Sequence, residues 1–276
     1  KKLVEEGISD VFMVTGGGAM HLDDGLGHEP NLHCTFNHHE QACAIAAECY
    51  ARIHNKIAAV CVTTGPGGTN AITGVVGGWL DSIPMLILSG QVRYDTTARS
   101  TGLGIRAMGD QEFDIVKSIS CMTKYSEMVL DPMRIRYCLE KALYLAQSGR
   151  PGPSWLDIPL NVQGAYVETE KLLGFDAEDY KNGGTGWTQH EAGCDGCGLC
   201  AGKTVDGEAA MISEDEAGKG EPREFLPEPV SLDTAREILK KVREAKRPVI
   251  NAGNGIRIGK AYDVFARVVD MLGIPV

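Results

Sequence analysis

The sequence lacks any run of eighteen apolar residues, so it offers no candidate for a membrane-spanning helix. It is also short of positive charge, because 27 Lys and Arg residues stand against 37 Asp and Glu, for a formal net charge of −10. This imbalance argues against nucleic acid or an anionic membrane surface as a partner. The apolar core of a signal peptide is missing near Lys1, where the chain reads as the end of a helix. We therefore expect that earlier residues of the natural chain are missing.

The nine cysteines are an odd number and lack the spacing of a disulfide framework. Six are scattered through apolar stretches and read as small buried residues in a reducing compartment, so we expect a cytoplasmic protein. The other three, Cys194, Cys197 and Cys200, follow His190 in an H-x₃-C-x₂-C-x₂-C pattern. This pattern could hold zinc or an iron–sulfur cluster, but a flexible cysteine-bearing linker is favoured, because such sites usually recruit ligands from two places.

Residues 10–159 alternate short β-type runs with helical ones, which predicts a sheet covered by helices. The predicted strands are 11–15, 32–36, 58–63, 85–89 and 154–158. The predicted helices are 19–26, 39–53, 68–80 and 132–148. The runs at 58–63 and 85–89 are almost wholly apolar, as in a parallel sheet that is buried on both faces. We therefore predict a doubly wound α/β domain with a parallel sheet over residues 1–165.

The composition changes over residues 166–230. Residues 176–224 carry twelve acidic and four basic side chains, a net −8 of the total −10, together with ten of the 34 glycines. This composition predicts an acidic, glycine-rich linker or mobile insertion. Ser231 then suits the N-cap of a helix at 232–245, followed by a strand near 248–253 and a helix at 260–272. We predict that residues 231–276 begin a second, incomplete α/β domain, so that the chain is a fragment.

Two segments follow predicted strands and open helices. In residues 37–42, Glu40 lies at a helix N-terminus, where the helix dipole favours negative charge, and a carboxylate with only that role fits its position equally well. In residues 63–70, the glycines let the backbone approach a flat or charged group, while Thr69 and Asn70 offer hydrogen bonds. This turn has neither the lysine of a Walker loop nor G-x-G-x-x-G spacing, so it supports neither an NTPase nor a dinucleotide site.

Eight segments in register resemble the pyrimidine-binding domain of thiamine-diphosphate-dependent enzymes, and in particular the acetolactate synthase-like group, over about residues 1–163. In chain order they are Gly16-Gly17, His39-Glu40-Gln41-Ala42, Gly65-Pro66-Gly67 with Thr69-Asn70, Asp81-Ser82-Ile83-Pro84, Gly90-Gln91-Val92, Gln111-Glu112, Thr123-Lys124 and Ser148-Gly149-Arg150-Pro151-Gly152-Pro153. A single one of these segments can arise by chance, whereas eight in order are specific.

The resemblance implies a catalytic role for Glu40, since the matching glutamate bonds a ring nitrogen of the aminopyrimidine and moves the proton that activates the thiazolium carbon. The implied cofactor-binding residues are Gly16, Gly17, Glu40, Pro66, Gly67, Asn70 and Gln111, joined by Ser82 and Lys124 at positions that contact FAD in members that carry a flavin.

The implied activity is that of a carbon–carbon lyase or ligase, a transferase or lyase acting on a 2-keto acid such as pyruvate. The alternatives are a 2-keto acid decarboxylase, another thiamine-diphosphate enzyme of the superfamily, and a non-catalytic relative or fragment with a metal-binding linker. In this family a Gly-Asp-Gly segment with a downstream Asn holds Mg²⁺ and the diphosphate, and the chain contains no such segment. The resemblance therefore implies magnesium ligands in another domain, an inactive isolated chain, and a homodimer or tetramer whose subunits share each site.

Two departures from the family pattern leave the substrate open. Thr15 stands where a proline is commoner, and the loop at residues 93–110 is about eight residues longer than in acetolactate synthases, enough to reshape the mouth of a site.

Overall fold

The computed structural model describes residues 1–188 and 230–276. The chain forms two compact units, Lys1–Glu224 and Phe225–Val276. Within the described ranges, no helix is both long enough and apolar enough to cross a bilayer.

The first unit is built on a six-stranded sheet in which every pair of neighbouring strands is parallel. The strands are β1 (Asp10–Met13), β2 (His33–Phe36), β3 (Ala58–Val62), β4 (Met85–Gln91), β5 (Tyr125–Met128) and β6 (Pro153–Pro159), in the spatial order β2-β1-β3-β4-β6-β5. This arrangement confirms the predicted doubly wound α/β domain.

Helices cover both faces of the sheet. They are α1 (Lys2–Glu5), α2 (Met20–Gly27), α3 (Glu40–His54), α4 (Pro66–Leu80), α5 (Ala98–Thr101), α6 (Ile115–Ile119), α7 (Ile135–Gln147), α8 (Leu160–Gln163) and α9 (Ala177–Lys181). Successive residues of β4 point to opposite faces, so Leu86 packs in one buried cluster with α7 while Ile87 packs in the other with α3 and α4. All residues of β3 and β4 are buried, as their apolar runs predicted, and all residues of β6 are buried as well.

The predicted helix at 132–148 begins with a turn of 3-10 helix, Pro132–Arg134, before α7. The Asp131 side chain accepts a hydrogen bond from the Met133 N–H at 2.9 Å and so caps this turn. The tighter first turn is a correction to the predicted α-helix.

Strand β5 was not predicted from the sequence. It is a four-residue strand at the edge of the sheet, where β6 is its only partner among the described strands, and three of its four residues are partly exposed. A half-buried edge strand that contains Ser126 and Glu127 shows no apolar run and no clear alternation, so the pattern on which strand prediction rests is missing.

Residues 176–188, predicted as part of the acidic linker, pack against α7. The Trp187 ring stacks on Tyr137 with 4.4 Å between the ring centroids, and the Tyr137 hydroxyl donates to the Thr185 carbonyl at 2.7 Å. Phe175 forms an isolated antiparallel bridge with Trp187. A few aromatic residues therefore anchor this stretch despite its polar composition. The predicted domain limits stay a prediction, and the predicted metal pattern at His190, Cys194, Cys197 and Cys200 lies outside the described residues.

The second unit contains α10 (Leu232–Glu244), α11 (Gly255–Ile258) and α12 (Tyr262–Leu272). The predicted N-cap is confirmed, since Ser231 Oγ accepts from the Thr234 N–H at 3.1 Å. The strand predicted near residues 248–253 is not formed, and residues 230–276 contain no strand. The Ile250 N–H donates to the Pro275 carbonyl at 2.9 Å, but one such bond does not make a ladder.

Candidate functional site

The strand order of the first unit reverses at β1, which has β2 on one side and β3 on the other. In open α/β sheets, ligands bind at the carboxyl ends of the strands beside such a reversal, because the connections leave in opposite directions and open a crevice. Two glycine-rich segments meet there, residues 16–18 after β1 and residues 63–68 after β3. The Gly18 N–H donates to Thr63 Oγ1 at 3.1 Å and joins them.

The glycines of the first segment have different surroundings. A Cβ added at Gly16 would lie 2.5 Å from the Thr63 Cβ, and one at Gly18 would lie 1.8 Å from Thr64 Oγ1, so both glycines allow close packing. A Cβ at Gly17 would meet nothing within 4 Å. Of the two predicted residues, Gly16 therefore serves the packing of the crevice wall, and Gly17 borders open space.

The second segment turns sharply into α4. Gly65 has φ 54° and ψ −105°, a conformation that side chains oppose, and Pro66 follows as the first helical residue. A Cβ added at Gly67 would lie 2.9 Å from Thr63 Cγ2 and 3.7 Å from Glu40 Oε1. The turn therefore brings backbone directly beside the Glu40 carboxylate.

Glu40 is the first residue of α3, whose N-cap is His39. Its Oε2 accepts a hydrogen bond from Asn70 Nδ2 at 3.0 Å, while Oε1 has no hydrogen-bond partner among the described residues. The helix N-terminus favours the negative charge of this carboxylate. Since one amide occupies only Oε2, Oε1 is available to a ligand.

Gln111 joins the same cluster through its backbone. It has φ 60°, which is rare for a residue other than glycine, and a Cβ added at Gly65 would lie 2.1 Å from its carbonyl oxygen. The structure therefore brings together seven of the nine predicted residues, namely Gly16, Gly17, Glu40, Pro66, Gly67, Asn70 and Gln111.

Ser82 and Lys124 lie elsewhere. Ser82 precedes β4 and Lys124 precedes β5, so both occupy the amino edge of the parallel sheet, opposite the crevice. Ser82 Oγ accepts from Arg150 Nε at 2.6 Å, and Lys124 Nζ donates to the Ser148 carbonyl. Burial lowers the pKa of Lys124 to about 8. The structure does not place these two residues with Glu40, and their contact with a flavin stays a prediction.

Sequence reasoning missed the residues that support the crevice. The Glu112 carboxylate accepts from the N–H groups of Ala98 and Met108, both at 2.7 Å, and of Gly109 at 3.1 Å. Glu112 belongs to a recognised segment, but only the folded loop shows its bonds. Thr64 Oγ1 is buried and has no hydrogen-bond partner within the described part of the chain.

No group of three or more His, Cys, Asp or Glu side chains in the described ranges is arranged to hold a metal ion.

A doubly wound α/β domain with a carboxylate and two glycine turns at its strand reversal has the arrangement at which open α/β sheets bind ligands. Residues 1–118 match the family described as "Thiamine pyrophosphate enzyme, N-terminal TPP binding domain". The chain is 28% identical to the acetolactate synthase large subunit of Lactococcus lactis subsp. lactis (strain IL1403) over 274 residues, 99% of this chain and 39% of the relative. The predicted resemblance to thiamine-diphosphate-dependent enzymes of the acetolactate synthase-like group is therefore confirmed.

Two further relatives show how the similarity is distributed. The chain is 28% identical to acetolactate synthase 2, chloroplastic, of Zea mays over 270 residues, 98% of this chain and 34% of the relative. It is 36% identical to the acetolactate synthase isozyme 3 large subunit of Escherichia coli (strain K12) over 162 residues, 59% of this chain and 27% of the relative. The chain thus spans between 27% and 39% of the length of these relatives.

Proposed function

We propose that this chain is part of a thiamine-diphosphate-dependent enzyme that makes or breaks a carbon–carbon bond at the carbonyl carbon of a 2-keto acid such as pyruvate. The observation that carries the proposal is the Glu40 carboxylate, which accepts a hydrogen bond from Asn70 at the strand reversal and has one oxygen without a partner in the described part of the chain. The relatives support the acetolactate synthase-like form of this activity by their names.

The crevice residues fit an aminopyrimidine ring. A flat heterocycle with polar edges needs close approach of backbone and a few directed hydrogen-bonding groups. Gly65 and Gly67 supply backbone without side chains, and Glu40 Oε1 supplies an acceptor. The Thr64 hydroxyl, which has no hydrogen-bond partner in residues 1–188 and 230–276, leaves a further donor and acceptor in the same wall.

Bound thiamine diphosphate would supply a thiazolium ring that takes up the electrons released when a 2-keto acid loses carbon dioxide. Glu40 would bond a ring nitrogen through Oε1 and pass a proton at that atom. The Asn70 amide would fix the carboxylate orientation through Oε2, and the N-terminus of α3 would stabilise its charge. These residues bind, orient and move one proton.

The substitution Glu40→Gln tests the proposal in the full-length protein. Gln keeps the shape and can still accept from Asn70, but it cannot transfer a proton at that position. We expect hydrogen–deuterium exchange at the thiazolium carbon, followed by NMR with saturating Mg²⁺ and thiamine diphosphate, to slow by about two orders of magnitude or more.

Glu178→Gln is the matched control, because Glu178 is an exposed carboxylate in the first turn of α9 and its replacement removes a similar helix-end charge. Its exchange rate should equal that of the unmodified protein. If Glu40→Gln exchanges as fast as this control, Glu40 is not the proton-transferring residue.

We further propose that Mg²⁺ and the diphosphate are held by residues outside this chain and that each site is shared between subunits of a homo-oligomer. The absence of a Gly-Asp-Gly segment from the sequence supports this division of the site. Any bound FAD would contact this chain at Ser82 and Lys124, away from the crevice.

A further inference from the structure

Gln91 ends strand β4 and is almost completely buried, at 1% exposure. Its Nε2 donates to Asp157 Oδ2 and to the Phe113 carbonyl, both at 2.9 Å, and its Oε1 accepts from the Val92 N–H at 3.0 Å. Every polar group of this side chain is used, and one of its bonds reaches a residue two positions beyond Gln111.

Asp157, on β6, is fully buried and orients the Gln91 amide. Its Oδ1 accepts from Ser89 Oγ at 2.6 Å, and Ser89 Oγ in turn accepts from Trp155 Nε1 at 2.8 Å. An ionised Asp157 accepts with both oxygens, and the Val92 N–H donates to Gln91 Oε1, so the amide nitrogen of Gln91 faces Asp157 and its oxygen faces away. The carboxylate therefore fixes which end of the Gln91 amide meets the Phe113 carbonyl.

Gln111 needs such support, because a positive φ at a residue other than glycine persists only where its surroundings impose it. Glu112 ties this segment to the loop before it through three backbone N–H groups. Gln91 ties the following residue, Phe113, to the sheet. Gln111 itself lies against Gly65 of the crevice.

We propose that Gln91 and Asp157 are positioning residues, which hold the Phe113 carbonyl and thereby keep Gln111 against the Gly65 turn at the candidate cofactor site. For its effect on the cofactor the inference rests on the proposed function, whereas the state of the segment can be measured without any ligand.

The substitution Gln91→Glu tests the donor role, because it keeps the shape of the side chain and replaces the donating amide with an acceptor. Above the pKa of the introduced carboxyl group, the Phe113 carbonyl and Asp157 both lose the donor that Gln91 supplied, and keep only the Ile115 N–H and Ser89 Oγ. Below the pKa values of both carboxyl groups, Asp157 donates to the residue at position 91, which in turn donates to the Phe113 carbonyl, so the donor to that carbonyl is restored. The other charged groups that act on Asp157 are Asp114 before α6, which raises its pKa, and Arg99 of α5, which lowers it, while β4 carries no titratable side chain and Glu127 of β5 is bonded to Arg134.

The readout is amide hydrogen exchange of residues 112–115 in the 276-residue chain, corrected for intrinsic rates, from pH 5 to pH 8. We expect Gln91→Glu to exchange about tenfold or more faster than the unmodified chain at pH 8 and to recover protection at pH 5. Gln91→Met, which has no donor, should exchange fast at both pH values. Ser154→Ala is the control, since it removes a buried β6 hydroxyl that has no hydrogen-bond partner in the described ranges.

Exchange in Gln91→Glu that does not depend on pH, or equal protection in Gln91→Met and the unmodified chain, would overturn the positioning role. If Gln91→Met does not fold, the isosteric Gln91→Glu still decides the question by its pH profile. In the full-length protein, exchange at the thiazolium carbon should follow the same profile in Gln91→Glu. If the unmodified full-length protein shows no hydrogen–deuterium exchange at the thiazolium carbon, the proposed function is refuted, whereas the amide-exchange results for residues 112–115 remain valid.

Discussion

Helices α3 and α4 cross at Gly74 and Ala44, and this crossing sets the spacing of the Glu40–Asn70 pair. Gly74 lies one helical turn after Asn70, and Ala44 lies one turn after Glu40. A Cβ added at Gly74 would lie 2.5 Å from the Ala44 Cβ and 2.7 Å from both the Ala44 carbonyl carbon and the Ile45 nitrogen. Two of these atoms are backbone, so no side-chain rotation relieves the contact, and Gly74→Ala must push the helices apart.

The magnitude follows from two opposing effects. Alanine in place of a helical glycine gains up to about 1 kcal/mol of helix propensity. Overpacking costs about 1–3 kcal/mol and is at its upper end here, because the Ala44 Cβ must move from 2.5 Å to the 3.4 Å of ordinary contact. We expect Gly74→Ala to lower the free energy of unfolding by about 2 kcal/mol. The Asn70–Glu40 hydrogen bond should lengthen and weaken as the helices separate.

Gly77→Ala is the matched control on the same helix, because a Cβ there would meet nothing within 4 Å. It should raise the free energy of unfolding by about 0.5–1 kcal/mol. Urea unfolding followed by tryptophan fluorescence is the assay, and Trp79, Trp155 and Trp187 all belong to the first unit. If the two variants have equal free energies of unfolding and unchanged m-values in urea, a methyl group fits at the Gly74–Ala44 crossing and the reasoning is wrong.

Two predictions concern charge. Burial raises the pKa of Asp157 to about 7 from an ordinary 3.8, so the folded chain holds the carboxyl proton of Asp157 more tightly than the unfolded chain. The protonated carboxyl group should therefore stabilise the fold by up to about 4 kcal/mol below pH 4, and this stabilisation should be lost as the pH rises to 7. Urea titrations should show this loss in the unmodified chain. A parallel loss in Asp157→Asn would show that the pH dependence does not come from Asp157. We also expect the 276-residue chain to bind thiamine and thiamine diphosphate with similar, weak affinity in calorimetry with Mg²⁺, because a chain of net charge −10 without a Gly-Asp-Gly segment compensates poorly for dehydrating a diphosphate. Micromolar binding of the diphosphate alone, about −8 kcal/mol, would show that the chain holds a diphosphate site of its own.

The sequence predicted those parts of the fold whose physics is local. Strands β3 and β4 are apolar runs because both of their faces are buried, and Asp131 caps the 3-10 turn that leads into α7. Edge strand β5 has no comparable pattern, because one neighbour and partial exposure impose little on its composition. The stacking of Trp187 on Tyr137 joins residues fifty positions apart, and composition alone favoured a linker there.

The residues of the candidate site likewise include some that local sequence identifies and some that it does not. Glu40 and Asn70 could be recognised because each belongs to a local segment that opens a helix. The bond between Gln91 and Asp157 could not be recognised, although Gln91 belongs to one of the eight segments, because it spans 66 positions and joins two different strands. A pairing that depends on strand order becomes visible only when the strands are placed.

Strand direction also separates the predicted cofactor residues into two groups. In a parallel sheet all carboxyl ends share one edge, so Glu40, Gly67 and Gln111 converge there, whereas Ser82 and Lys124 precede β4 and β5 at the other edge. The seven residues of β4 span about 20 Å between those edges. A single ring system is shorter than that distance. Within this unit, a group bound at Glu40 and a group bound at Ser82 must therefore be two different ring systems, each with its own binding residues.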